Sequence, residues 1–176
     1  MTKLLQFTGF KLCWFGLILI PNLAIWPALL YLLCSLWQLG AKARLAVVGI
    51  SIAGISMDTL LLKNAVFSFV DTGYLSPWFT LCLPLWLLLL WGCFALVLVQ
   101  VLAGWLRHWW LAALVGAVTG PLAYWGGAAL GGQLVFADTT TFLLTLAPCW
   151  ALLLALAVYC RFLWSDDDAS KTLSVH

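Results

Sequence analysis

Few residues of this sequence are placed to do chemistry, and Asp58 is the foremost. It stands in Ile55-Ser-Met-Asp58-Thr-Leu-Leu-Leu62, an otherwise apolar run. A carboxylate there costs roughly 3 kcal/mol to insert at the centre of a membrane helix, and less near an end. Helical spacings of three and four put Ser51, Gly54 and Asp58 on one face, which is expected to point inward, where Ser51, Tyr124 or water can satisfy the carboxyl. Two readings are open. Asp58 handles a proton or anchors a polar or cationic substrate group, or it is a carboxyl bonded to neighbouring helices or paired with Lys63. Lys11 is read as a side chain that snorkels to the water boundary, not as a partner of Asp58.

Trp86 and Trp91 fall too deep in an apolar run to belong to an interfacial belt, and an indole N–H in hydrocarbon needs a partner. They read as packing residues, or as the wall of a cavity for an acyl chain or isoprenoid. Tyr124 follows Gly120-Pro121. Its hydroxyl can bond the backbone carbonyl that the proline leaves free, or face a cavity. By helix rise, Asp58, Tyr124 and Trp86 belong to the outer half or middle of a bilayer, so any pocket is expected to open outward. His108 and His176 are the only histidines, which leaves no histidine-based catalytic or metal site. No Walker loop, H-E-x-x-H or G-x-S-x-G occurs. No cofactor and no metal is expected. The six cysteines, each in an apolar run and none in C-x-x-C, read as packing residues.

These residues need elements to hold them, and composition says of what kind. The chain is 65% hydrophobic and 8% charged, against about 25% charged in soluble domains. That points to an all-α, polytopic transmembrane bundle forming one domain, residues 1–164, followed by a short polar cytoplasmic tail, 165–176. The segment from Leu4 to Leu39 would be about 54 Å long as a helix, too long for one crossing of ~30 Å. Pro21-Asn22 divides it, with Asn22 as a cap for the second helix. Six spans result, at about 4–20, 23–39, 45–62, 77–103, 109–131 and 141–163. Ser76-Pro77 opens the fourth, Pro84 is expected to kink it, and Asp138-Thr-Thr-Thr141 caps the sixth. A five-span alternative joins 12–33 into one kinked helix. The first apolar run lacks a cleavage site and reads as a retained span.

Six basic residues fall on the N-terminal side of this arrangement and one, Lys63, on the other. The positive-inside rule then puts both termini in the cytoplasm. A net charge of +2 with scattered basic residues gives no reason to expect nucleic acid. The fifth span carries two small-xxx-small pairs, Gly116/Gly120 and Gly127/Gly131, on either side of Pro121. In a bilayer such pairs let helix backbones touch, so this span is read as the central packing helix.

Taken together, Pro84-x-Trp86-Leu-x-x-Leu90-Trp91-x-x-Phe94-Ala95, the element Gly116-Ala-x-x-Gly120-Pro121-Leu-Ala-Tyr124-x-x-Gly127-x-x-Leu130-Gly131, and the embedded Asp58 resemble the bacterial membrane proteins grouped as domain of unknown function 2878. The resemblance runs from the first span to Gly131. It implies a multi-span inner-membrane protein of Gram-negative bacteria whose relatives lie beside genes of fatty-acyl modification, and it brings no catalytic residues. The functional expectation is a non-catalytic accessory or partner subunit linked to envelope lipid or fatty-acyl metabolism. Its expected partners are membrane lipids and a second copy or another membrane protein. A small oligomeric permease using Asp58 is the alternative, and a lipid-modifying membrane enzyme the second.

Overall fold

A computed structural model describes residues 3–70 and 83–165. It is all-α apart from one small ribbon. The helices are α1 (Lys3–Leu19), α2 (Pro21–Trp37), α3 (Ala41–Lys63), α4 (Leu85–Trp105), α5 (Trp109–Gly131), α6 (Thr139–Tyr159) and the short α7 (Phe162–Ser165). Four of them, α3 to α6, are long and apolar enough to cross a membrane, and α2 is a shorter apolar helix.

The boundaries follow local chemistry. A single residue, Ile20, separates α1 from α2. Pro21 occupies the first turn of α2, where its missing N–H costs nothing. Asn22 does not cap that helix; Ile20 holds the cap position without a side-chain bond. The two helices fold back on one another rather than forming one kinked rod over 12–33. The Tyr31 hydroxyl donates to the Gln6 carbonyl at 3.0 Å, and Gly9 and Gly16 lie against Tyr31 and Ala24.

Pro84 is the residue before α4, so it starts the helix instead of kinking it. A proline ring is tolerated there because it displaces no helical N–H bond. The irregularity in α4 comes later, as a π turn at Leu98–Leu102. Helix α5 runs unbroken through Pro121 and ends in a left-handed Gly132 with φ of 63°, a backbone geometry that glycine adopts without a Cβ clash. At the start of α6 the Asp138 carboxylate accepts the Thr141 N–H at 2.7 Å. That bond holds its carboxyl below the usual carboxylate range. Ser76 and Pro77, read as the start of the fourth span, and the tail from residue 166 lie outside the described residues.

One element has no counterpart in the sequence reading. β1 (Phe67–Phe69) and β2 (Leu134–Phe136) pair antiparallel, with Ser68 opposite Val135. This ribbon ties the end of α3 to the end of α5. Leu17, Cys93, Val97, Ala112, Phe142 and Leu146 are fully buried at the centre of the bundle. Large apolar side chains such as Leu45, Leu114 and Leu144 stand outward and exposed.

Candidate functional site

Asp58 is where three helices meet. It is fully buried on α3. Its Oδ2 accepts the Trp91 indole N–H from α4 at 2.6 Å and the Tyr124 hydroxyl from α5 at 2.5 Å. The depths agree. Asp58 stands five residues before the end of α3, Trp91 six after the start of α4, and Tyr124 seven before the end of α5. That places all three about 8–11 Å below the ribbon end of the bundle.

Small residues create the space for the rings. A Cβ on Gly54 would clash with the ring of Trp91, so the glycine one turn before Asp58 lets that indole lie against α3. Gly120 does the same for Trp150 of α6, whose five-membered ring rests on the glycine. Trp91 and Trp150 stack at 5.2 Å between centroids, and Phe67 of β1 and Phe142 of α6 flank Tyr124 at 6.1 and 6.2 Å.

Each residue singled out from the sequence has a definite place. Gly54 and Asp58 do face inward, but the Ser51 hydroxyl donates to its own helix at Val47, 2.8 Å away, and does not reach Asp58. A serine hydroxyl inside a helix can share the carbonyl four residues back and is then satisfied locally. Tyr124 bonds the carboxylate rather than a backbone carbonyl. Trp86 is buried and packs edge-on against Phe69 at 6.0 Å. Of the glycine pairs, Gly116 and Gly120 meet Trp150, while Gly127 and Gly131 meet Ile18 of α1. Pro121 is buried within α5. Trp91 is the residue the site reading lacked as a partner for Asp58. The signal was its deep indole N–H, which had to find an acceptor in a chain with one embedded carboxylate.

In front of this cluster lies a cavity of about 500 Å³. Its wall is aromatic and aliphatic, built from one stripe of α1 (Phe7, Phe10, Lys11, Trp14 and Ile18) and from α4, α5 and α6. Trp91 and Tyr124 belong to the wall, and Asp58 sits behind them. At the ribbon end the described residues narrow the cavity. There Gly131 lets the Ile18 carbonyl approach, to 2.6 Å from where a Cβ would stand, and Gln133 Nε2 donates to that same carbonyl at 3.2 Å. Lys11, Trp105, Thr119 and Leu122 line the cavity and are exposed, so it opens sideways between α1 and α5. Asp58 itself has no accessible surface.

Three buried polar atoms lack a partner among the described residues: Asp58 Oδ1, Gln100 Oε1 and Trp150 Nε1. No group of three metal-ligating side chains occurs among the described residues. No curated protein and no solved structure matches this chain. A family match does exist, over residues 3–156, which include the Asp58 junction and the whole of the cavity wall, and by it the chain belongs to the family described as Protein of unknown function (DUF2878).

Proposed function

We propose that this is a six-span inner-membrane protein of one domain, with both termini cytoplasmic, that holds a lipid chain in its lateral cavity. It acts as an accessory or partner subunit in envelope lipid metabolism rather than as an enzyme. The observation that carries the reading is the cavity itself. Its volume lies within the ~300–1,000 Å³ range of small-molecule sites, its lining is apolar, and it opens where lipid would be. Asp58 serves it from behind, by fixing the indole of Trp91 and the ring of Tyr124 as parts of the wall. Because that carboxylate is not on the cavity surface, holding a ligand is favoured over a carrier built on Asp58.

Topology and orientation have their own support. The Ile20 turn, the ribbon, and the starts of α4 and α6 all lie at one end of the bundle, so α1 to α6 run alternately up and down. Lys3, Lys42, Arg44, Arg107 and Arg161 stand at the other end, where Arg161 donates to the Ala103 carbonyl at 3.1 Å and Lys3 Nζ lies near Gly104. A positive end of that kind faces the cytoplasm.

The test fills the cavity. Ala123 is half-buried on its α5 wall, and Ala123→Trp should abolish lipid retained by the detergent-extracted protein in native mass spectrometry. Leu152→Trp on an exposed position of α6 should retain lipid as the parent does. Equal retention by both variants, with both folded, overturns the reading.

A further inference from the structure

Resting on that reading, we infer that the ligand is a single-chain amphiphile with an anionic head, and that Lys11 binds the head. Lys11 is the one charged residue among the described residues lining the cavity. Its ammonium stands 5.6 Å from the centroid of Phe7 and 6.0 Å from that of Trp14, one turn to either side on the same stripe of α1. Two ring faces at such distances hold a cation by their quadrupoles and fix its position. They do not neutralise it.

Nor do the described residues supply a counter-ion there. The carboxylates among the described residues are Asp58, occupied by Trp91 and Tyr124, and Asp138, occupied by the start of α6. An ammonium held over aromatic rings, at the mouth of an apolar cavity and with no carboxylate beside it among the described residues, is complementary to an anion carrying an apolar chain. A carboxylate or a phosphate monoester would accept charge-assisted bonds from it.

The cavity shape argues for one chain. From Val115 to Gly131 its α5 wall extends about 24 Å, so a volume of about 500 Å³ is drawn out into a slot. The Lys11 side chain leans toward the N-terminal end of its helix, which is the basic end of the bundle. The head therefore lies toward the cytoplasmic side, and the chain runs past Trp91 and Trp150 toward Gln133 and the narrowed ribbon end.

The experiment measures binding of oleate, oleyl phosphate and oleyl alcohol to the full-length protein in neutral detergent, each by native mass spectrometry. The parent should bind oleate or oleyl phosphate about tenfold or more tightly than oleyl alcohol, as a charge-assisted bond predicts, and the preferred anion identifies the head. Lys11→Gln should lower both anions to the level of the alcohol and leave alcohol binding within about twofold; Lys11→Arg should keep the preference. Lys11 is exposed, so both variants should melt with the parent. Equal binding of alcohol and anions by the parent, or an unchanged preference in Lys11→Gln, overturns the anionic head while leaving the lipid-holding reading intact. No binding of any probe overturns both.

Discussion

Removing the Asp58 side chain leaves two buried donors, the Trp91 N–H and the Tyr124 O–H, without an acceptor. Each orphaned donor costs about 1–3 kcal/mol, so Asp58→Leu should lower the melting temperature in detergent markedly. Asp58→Asn keeps an oxygen at the same place and should cost much less, and Tyr124→Phe, which deletes a donor without stranding one, should also be mild. Ligand retention should follow the same order, since the carboxylate acts by positioning the wall. Equal stability of Asp58→Leu and the parent would show that the junction holds nothing together. At this scale the sequence was partly legible. An aspartate inside an apolar helix announces a buried polar contact, and a glycine four residues earlier announces a close neighbour. The partner's identity depended on how α3 and α4 are rotated toward each other, which spacing along one helix does not specify. Ser51 misled because a hydroxyl on the right face was satisfied by its own helix.

Among elements, α5 shows how finely glycine placement matters. A Cβ on Gly116 would stand 2.5 Å from the Trp150 carbonyl oxygen, a backbone atom that cannot swing away, whereas Gly126 has open space around it. Gly116→Ala should therefore destabilise the α5–α6 contact by 1 kcal/mol or more, about the scale of overpacking. Gly126→Ala should be neutral or stabilising by up to about 1 kcal/mol from helix propensity. Matching thermal shifts for the two variants would argue against backbone contact at Gly116. The small-xxx-small spacing made α5 recognisable as a packing helix, but not that its two glycine pairs serve different neighbours. Local chemistry likewise exposed the Pro21 division and the Asp138 cap. The β1–β2 ribbon was not legible, because its strands are three residues each and far apart in the chain. They read as loops until the helices bring them together.

For the whole molecule, composition pointed to an all-α protein, and four helices are long and apolar enough to cross a membrane. The long exposed apolar side chains on every flank agree with that, since water would not tolerate so much apolar surface. The cavity was legible only in part: Trp86 and Trp91, read as packing residues or a cavity wall, both line it, but its place was not, as it arises from the distance at which α1 stands off α5. The proposed orientation has a direct check. In a background without native cysteines, Asn64→Cys should react with an impermeant reagent added to intact cells, and Arg107→Cys should not; the opposite pattern would invert the topology.

The cavity is the central claim, and photo-crosslinking tests it most directly. A fatty acid carrying a diazirine midway along its chain, activated on the protein in bilayer nanodiscs, should leave adducts on Trp91, Trp150 and Leu154. These side chains are buried among helices and face the cavity, so lipid on the outer flank does not touch them. Adducts confined to outward positions such as Leu45, Ile52 and Leu144, with none on the three wall residues, would contradict the account.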